Sequence, residues 1–254
     1  MKLGDFSSLA TAYSTSRPTY SPNVVDQILE KIKRDVSNLK VIDVGAGTGI
    51  WTRMIANKVN VHLHAIEPNR DMLNQGVIDS EGYSIQWHEG SAEEIPLKDS
   101  SANWITMASS FHWADFEKAT AEFARVLVPG GYFTAVWNPR YFESNPKLVK
   151  VEEWINQNLL TPRVSSGRSG ITSHLTELLE ESNYVDSVTY IEGKHVQSMS
   201  REVYITAWRS TNDVQVKLGP ELFEQFIDFI KSLFAENEVI ETEYWTRSWT
   251  AKFK

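Results

Sequence analysis

The chain has 254 residues, of which 41% are apolar and 23% charged, enough for one globular domain with a complete hydrophobic core. Its formal net charge of −8 disfavours a general nucleic-acid binder, and the absence of cysteine excludes disulfides and thiolate metal sites. The sequence has no apolar run long enough for a membrane span and no signal-peptide pattern at its N-terminus, so we expect a cytoplasmic protein.

The first 140 residues alternate strand-like and helix-like runs, a pattern typical of a parallel sheet with crossover helices. Ser21 and Pro22 predict a helix start, because serine is a good cap and proline suits the first helical position. Five strands are predicted here, at residues 39–44, 61–66, 84–88, 104–108 and 132–137. Helices are predicted at residues 49–57 and 71–78 and after Asp115, and a turn at residues 129–131.

The pattern changes after Asn138, where helices predominate. Helices are predicted at residues 147–160, 172–181, 201–209 and 220–234, and strands at residues 185–197 and 239–253. Residues 163–170 are rich in serine, glycine and arginine and predict a mobile loop. In the last strand aromatic residues alternate with serine and threonine, which predicts one apolar face.

The most informative segment is a buried strand that ends in three alternating glycines, Gly45, Gly47 and Gly49, and continues into a helix. Glycine allows a tight turn in which a ligand touches bare backbone, and the helix start offers free N–H groups. The spacing is G-x-G-x-G, whereas a dinucleotide fingerprint requires a third glycine at the position of Ile50. Asp43 precedes the loop by two residues, and its carboxylate suits an ammonium group better than a pyrophosphate.

A second acidic residue, Glu67, stands at the end of the second predicted strand, 24 residues after Asp43. A carboxylate at this position can accept hydrogen bonds from both hydroxyls of a ribose. Since the first two strands lie side by side in this class of sheet, we expect the glycine loop and Glu67 to face one crevice.

These residues resemble the S-adenosylmethionine-dependent methyltransferases with a seven-stranded Rossmann-like core. The likeness covers about residues 38–137 and includes two further motifs: residues 90–93, which lie beside the adenine in that family, and residues 125–131, its turn before the fifth strand. The resemblance implies an α/β fold with a mostly parallel sheet of order 3-2-1-4-5-7-6. It also implies an antiparallel last strand, helices on both faces and a small helical cap.

The resemblance further implies S-adenosylmethionine as the cofactor, S-adenosylhomocysteine as its product, and no metal. The run from Tyr13 through Arg17 to Pro22 is similar to the lead segment of small-molecule members related to trans-aconitate methyltransferase, which folds over the cofactor. There Arg17 would pair with the methionine carboxylate and Tyr13 would wall the sulfonium; surface exposure and plain packing are the alternatives. The expected cofactor-binding residues are Tyr13, Arg17, Asp43, Gly45, Ala46, Gly47, Thr48, Gly49, Glu67, Pro68, Ser91, Ala92, Glu93 and Ser109.

We expect residues 1–254 to form a single methyltransferase domain with four parts. These are N-terminal helices that cover the cofactor at residues 1–37, a cofactor-binding core at 38–137, a helical cap and substrate region at 138–184, and C-terminal strands and helices at 185–254. Monomer and dimer are both compatible with this division.

The fourth predicted strand is followed by Ser109, Phe111, His112 and Trp113. Ligands bind at the carboxyl ends of strands in open α/β sheets, which places these residues at the crevice. His112 is the candidate general base, because the ordinary pKa of a histidine side chain lies near neutrality. The alternative is that His112 only orients the loop. Phe111 and Trp113 are predicted to wall the substrate pocket.

Basic residues recur after the fifth strand although the whole chain is acidic. Arginine suits the recognition of carboxylate or phosphate. We therefore expect methyl transfer to a small anionic metabolite, held by Arg140, Arg168 and Arg201; solvated surface charge is the alternative for each of them.

Three other functions are compatible with parts of this pattern. A cofactor-binding regulator without turnover would share the same motifs. A methyltransferase of nucleic acid or protein is disfavoured by the net charge of −8 and by residues 109–112, which lack the Asn/Asp-Pro-Pro-aromatic run of enzymes that methylate DNA bases. An NAD-dependent oxidoreductase is disfavoured by Ile50.

Overall fold

The computed structural model describes residues 9–61, 63–159 and 170–254. Its strands are β1 (Val41–Val44), β2 (Leu63–Ile66), β3 (Ile85–His88), β4 (Ala102–Ala108), β5 (Leu127–Trp137), β6 (Arg140–Tyr141), β7 (Val185–Ser200) and β8 (Val239–Phe253). Its α-helices are α1 (Ala10–Ser16), α2 (Pro22–Asp35), α3 (Ile50–Ala56), α4 (Arg70–Asp79), α5 (Phe116–Val126), α6 (Pro146–Asn158), α7 (Leu175–Glu181), α8 (Arg201–Arg209) and α9 (Asn212–Leu233). Short 3-10 turns lie at Phe111–Trp113, Phe142–Ser144 and Gly170–Ser173.

These eight strands form one sheet. Strand β1 pairs in parallel with β2 and β4, β2 pairs with β3, and β4 pairs with β5, whereas β8 runs antiparallel between β5 and β7. Without the two-residue β6, which also pairs with β8, the order is 3-2-1-4-5-8-7. The expected order 3-2-1-4-5-7-6 with an antiparallel final strand is confirmed, because its sixth and seventh strands correspond to β7 and β8.

Both faces of the central strands are buried. Along β1, Ile42 and Val44 enter one apolar cluster, together with Phe123 of α5, whereas Val41 enters a second cluster with Ile28 of α2. This alternation follows from the pleat, which points successive side chains to opposite faces, each covered by crossover helices. Asp43 is the buried charged residue of this strand and lies at its carboxyl end.

The helix starts follow the sequence signals with one difference. Asp115 accepts the N–H of Lys118 at 3.2 Å and so caps α5, as predicted. Helix α2 begins at Pro22, but the Ser21 side chain makes no capping hydrogen bond. The backbone N–H of Ser21 instead donates to Oγ1 of Thr246 at 2.8 Å, which ties the start of α2 to β8.

Two segments differ from the predicted boundaries, and a third is mostly untested. Residues 129–131, predicted as a turn, lie within β5, which begins at Leu127 opposite Ala102. Helix α9 begins eight residues before Pro220 and is interrupted at Gly219, where φ is 74° and ψ is 168°, so the predicted helix at 220–234 is its second half. The predicted mobile loop falls outside the described residues except for Gly170, which begins a 3-10 turn.

A third apolar cluster joins α6, α8 and α9 beyond the edge of the central strands. Its buried members include Leu148, Trp208 and Phe226, and Trp154 packs against it. This cluster forms a helical layer over the first part of β8, because Ile240 and Tyr244 of that strand belong to it. None of the described helices combines the length and apolarity that crossing a membrane requires.

Candidate functional site

A cavity of about 760 Å³ opens at the carboxyl ends of β1, β2, β4 and β5. Its walls come from the loops after these strands, from α1, and from α8 and α9 of the helical layer. Of the fourteen expected cofactor-binding residues, every one except Gly49 lines it. Gly49 instead precedes the first turn of α3 with φ 79°.

The glycine loop after β1 presents bare backbone to the cavity. Gly45 and Gly47 both line it and both have positive φ, 64° and 59°. An added Cβ at Gly45 would lie 2.7 Å from Cβ and Oγ of Ser110, so this position excludes any larger residue. The loop therefore depends on glycine for its backbone conformation and for its close approach to the segment after β4.

Asp43 at the end of β1 also lines this cavity. Oδ2 accepts a hydrogen bond from Oγ1 of Thr52 at 2.5 Å, while the buried Oδ1 has no hydrogen-bond partner in the described part of the chain. Burial raises the pKa of Asp43 to about 7. A buried carboxylate oxygen without a donor is costly, so this atom indicates a place for a cationic or hydrogen-bond-donating ligand group.

Glu67 faces the same cavity from the end of β2. Its Oε2 accepts the Gly47 N–H at 2.8 Å and its Oε1 accepts the Asn69 N–H at 2.9 Å, which fix the plane of the carboxylate. Burial raises its pKa. Each carboxylate oxygen retains acceptor capacity, which suits a pair of neighbouring ligand hydroxyls.

The loop after β3 supplies another wall of the cavity. Ser91, Ala92 and Glu93 line it, with Pro68 and Met72 on the side of α4. Oε1 of Glu93 accepts the Asp115 N–H at 2.8 Å, which ties this loop to the start of α5. The combination of apolar side chains and backbone suits a flat apolar ring.

Helix α1 closes the cavity from the other side. Tyr13 and Arg17 both line it, and the Arg17 guanidinium lies 4.7 Å from the Tyr13 ring centroid. Nη2 of Arg17 donates to the Ser210 carbonyl at 3.1 Å and to Oγ1 of Thr211 at 3.4 Å, whereas its buried Nε has no hydrogen-bond partner among the described residues. Arg17 thus bridges α1 to the junction of α8 and α9.

The end of β4 is held in a strained conformation beside the glycine loop. Ser109 has φ 55°, a region that non-glycine residues seldom adopt. Its hydroxyl lies 3.0 Å from the Tyr20 hydroxyl, and its N–H donates to the Val136 carbonyl at 2.7 Å. Tyr20 is buried and lines the cavity. It belongs to the segment expected to cover the cofactor, but it was not predicted as a binding residue.

The 3-10 turn Phe111–Trp113 separates three residues expected to act together. Phe111 is fully buried, 4.9 Å from the ring centroid of Phe133, and does not line the cavity. Phe111 therefore packs in the core and does not wall the cavity, contrary to the prediction. His112 and Trp113 do line the cavity, and Trp113 remains 57% exposed at its mouth.

His112 is half-buried against Trp137, the last residue of β5. The indole Nε1 of Trp137 donates to Nδ1 of His112 at 3.4 Å. Burial lowers the pKa of His112 to about 4, so the ring is neutral at pH 7.

The three arginines expected to bind substrate have different surroundings. Arg140 lines the cavity, where its Nη2 lies 3.2 Å from Oε1 of Glu152 and its guanidinium 4.0 Å from the Trp208 ring centroid. Arg201 does not line it, because its guanidinium binds Glu202 at 2.9 Å and the Phe234 carbonyl at 3.3 Å. Arg168 lies outside the described residues.

Several residues that line the cavity were not predicted from the sequence. Tyr204 and Trp208 lie one helical turn apart on α8, so their i, i+4 spacing is a signal for a shared face. Trp137 ends a strand, as Glu67 follows one, and the same strand-end rule predicts its place. Glu152 lies within α6 and has no such signal.

Part of the chain is similar to known methyltransferases. Residues 41–131 match a family model described as a methyltransferase domain. An uncharacterized methyltransferase of Mycobacterium tuberculosis, Rv3342, is 38% identical over 136 residues, which are 53% of this chain and 52% of that protein. The match thus spans about half the length of the curated relative.

Two solved structures show a similar fold. A putative type II methyltransferase from Anaeromyxobacter dehalogenans aligns with a TM-score of 0.65 at 14% identity, over 93% of this chain and 97% of that one. The phosphoethanolamine N-methyltransferase 2 of Haemonchus contortus, in complex with S-adenosyl-L-methionine, aligns with a TM-score of 0.52 at 13% identity, over 97% of this chain and 56% of that one. Residues 41–131 are therefore similar to a methyltransferase domain, and the chain shares the fold of these two structures.

Proposed function

We propose that this chain transfers a methyl group from S-adenosylmethionine to a small molecule. The observation that carries the proposal is the buried Oδ1 of Asp43, which has no hydrogen-bond partner among residues 9–61, 63–159 and 170–254 and lies beside the bare backbone of the glycine loop. A ligand that brings an ammonium group to Asp43 and paired hydroxyls to Glu67 satisfies both carboxylates. S-adenosylmethionine carries both groups.

The residues present fit this cofactor along its whole length. Asp43 and Gly45 would hold the methionine end, Glu67 the ribose, and the wall of Pro68 and Ala92 the adenine. Arg17 would meet the methionine carboxylate through Nε, which no described residue accepts from. When bound, S-adenosylmethionine supplies a methyl group on a positively charged sulfur, which a nucleophile displaces directly.

The contribution of the protein is chiefly alignment. Well-oriented reactants gain about 7–11 kcal/mol relative to a bimolecular encounter in water. Here the orientation comes from rigid elements: the strand ends that carry Asp43 and Glu67, and the Arg17 bridge that connects α1 to the helical layer. Buried aromatic side chains also line the cavity and would keep water from the acceptor, namely Trp137, Tyr204, Trp208 and Tyr244.

The acceptor we propose is a small metabolite, since one cavity of about 760 Å³ has to hold both cofactor and acceptor. An anionic acceptor, as expected from the sequence, is supported among the described residues by Arg140. That guanidinium already faces Glu152, so an anion would share it with a carboxylate. We further propose that the four parts of the chain act as outlined from the sequence, except that α1 lines the cofactor cavity whereas α2 packs on a face of the sheet.

The proposal is tested by measuring S-adenosylhomocysteine release with pairs of aliphatic and aromatic carboxylic acids and their primary amides. We expect release with at least one pair, faster for the acid, and its loss in Asp43→Asn. Asp186→Asn is the matched control, because Asp186 is exposed on β7. Cofactor binding without release for any acceptor would contradict the proposal and favour a binding protein without turnover.

A further inference from the structure

The two ring nitrogens of His112 have different surroundings. Nδ1 faces the indole Nε1 of Trp137 at 3.4 Å, and this is the one hydrogen bond that the ring makes within the described part of the chain. We propose that His112 is a hydrogen-bond donor to the methyl acceptor through Nε2–H, and that Trp137 is the positioning residue that fixes this tautomer. The inference rests on the proposed function for the identity of the ligand, but not for the state of the ring.

The tautomer follows from the chemistry of the indole. Its N–H can only donate, so Nδ1 of His112 must present a lone pair and the proton of the neutral ring resides on Nε2. The opposite tautomer would point two N–H hydrogens at each other across 3.4 Å. Although the hydrogen bond is long, this repulsion decides which nitrogen is protonated.

Both partners are held by packing. Trp137 is 1% exposed, and its ring lies edge-on to Trp249 at 5.6 Å. The indole of Trp249 is in turn fixed by a hydrogen bond to Oγ1 of Thr176 at 3.0 Å. His112 follows Phe111, which is anchored in the core, and its ring packs against Trp113 and Trp137 at centroid distances of 4.9 and 6.4 Å.

This arrangement disfavours the base role that the sequence suggested for His112. The basic lone pair of the ring is on Nδ1, which accepts the hydrogen bond from Trp137 and does not face a substrate. Protonation of Nδ1 would break that hydrogen bond. Burial lowers the pKa of the ring to about 4 and makes it a weak base. His112 lines the cavity, and no described residue bonds its Nε2, so this N–H can serve a ligand.

The chemistry of the acceptor follows from a fixed donor. An acceptor that fills this end of the cavity presents an oxygen with an available lone pair, of the carboxylate or carbonyl type, to Nε2. His112 moves no proton in this arrangement. The nucleophile therefore arrives already deprotonated or without a proton to lose, and the N–H orients it toward the methyl group.

The state of the ring is tested without any acceptor. We would record long-range ¹H–¹⁵N correlation spectra of ¹⁵N-labelled protein with S-adenosylhomocysteine across pH 5 to 9, and assign His112 by its loss in His112→Gln. The expected result is a neutral Nε2–H tautomer across the whole pH range. Its population should fall in Trp137→Phe and stay unchanged in Trp113→Phe. An Nδ1–H tautomer or a charged ring at pH 7 in the wild type would overturn the proposal, even if Trp137→Phe fails to fold.

A second measurement uses any acceptor found by S-adenosylhomocysteine release. A glutamine amide can replace an Nε2–H donor but cannot act as a base. We expect His112→Gln to keep kcat/KM within about tenfold, whereas His112→Phe loses about 10- to 100-fold, the usual worth of a hydrogen bond to a charged group. Equal losses of kcat/KM in both variants would contradict the donor role. The proposed function is tested separately, by calorimetric titration of the wild type with S-adenosylmethionine.

Discussion

The backbone N–H of Gly47 donates to Oε2 of Glu67 at 2.8 Å, so the loop after β1 and the end of β2 form one structural unit. The same carboxylate receives the Asn69 N–H just before α4. Two successive strand ends and the helix after the second are therefore aligned by one side chain. A ligand that binds Glu67 also contacts a loop whose conformation Glu67 stabilises.

We expect Glu67→Gln to weaken binding of S-adenosylhomocysteine by about 10- to 100-fold, because one amide N–H would face a backbone N–H and an acceptor for the ribose is lost. Isothermal titration calorimetry measures the effect. Glu89→Gln is the control, since Glu89 pairs with Arg70 at the surface. Unchanged affinity in Glu67→Gln would exclude Glu67 as a cofactor ligand.

Gly45→Ala should destabilise the protein by about 2–4 kcal/mol, because a positive φ and a crowded Cβ position add their costs. The added Cβ would lie 2.7 Å from Ser110, at φ 64°. Gly82→Ala is a matched control with φ 84° and open space around the Cβ, and should cost about 1 kcal/mol. Urea unfolding compares the two, and the additional change Ser110→Gly should recover part of the loss at Gly45.

The affinity for S-adenosylmethionine should rise with pH through about 7. Burial raises the pKa of Asp43 to about 7, so the free protein holds this carboxyl mostly protonated at pH 6 and ionised at pH 8. Only the ionised form pairs with an ammonium group, which predicts an increase in affinity of about tenfold between these pH values. In Asp43→Asn the affinity should be lower and nearly independent of pH; a wild-type profile that falls with pH would contradict the pairing.

The same pKa shift makes the stability of the free protein fall with pH, whereas the affinity for the cofactor rises. Because the pKa of Asp43 is raised above its usual value of 3.8, the folded state binds more protons than the unfolded state between about pH 4 and 7. The contribution of Asp43 to the free energy of unfolding therefore decreases as pH rises through this window. Urea unfolding at pH 5 and pH 8 should show a larger decrease for wild type than for Asp43→Asn.

Arg140 and Glu152 should behave as a coupled pair. Removal of one partner of a buried ion pair costs about 3–5 kcal/mol, whereas replacement of both is much less costly. We expect Arg140→Met and Glu152→Gln each to lower the free energy of unfolding, and the double variant to lose less than the sum. Additive losses in thermal and urea unfolding would show that the contact at 3.2 Å contributes little to stability.

Much of the fold and of the cofactor end is predictable from the sequence. The strand order is what the resemblance to a known family implies. The parallel sheet follows from the alternation of strands and helices, and Asp43, Gly45 and Glu67 are identified by their spacing from strand ends. These features are local, because a turn, a cap or a strand end is specified by residues close together in the chain. For this reason the glycine loop and Glu67 meet in the structure as expected.

The acceptor end depends on contacts between distant segments and is less predictable. Nothing near Glu152 in the sequence indicates that it faces Arg140, since α6 and β6 meet only through the fold. Phe111 and His112 are neighbours, yet one enters the core and the other the cavity, because the 3-10 turn rotates successive side chains apart. Arg201 turns to Glu202 and the Phe234 carbonyl, contacts that composition alone cannot reveal.

The most direct test of the central claim is isothermal titration calorimetry with S-adenosylmethionine, S-adenosylhomocysteine and NAD on wild type, Asp43→Asn and the control Asp186→Asn. We predict micromolar binding of the first two ligands, no binding of NAD, and a loss of affinity confined to Asp43→Asn. Binding of NAD in preference to S-adenosylmethionine, or equal affinities in wild type and Asp43→Asn, would contradict the assignment of this cavity.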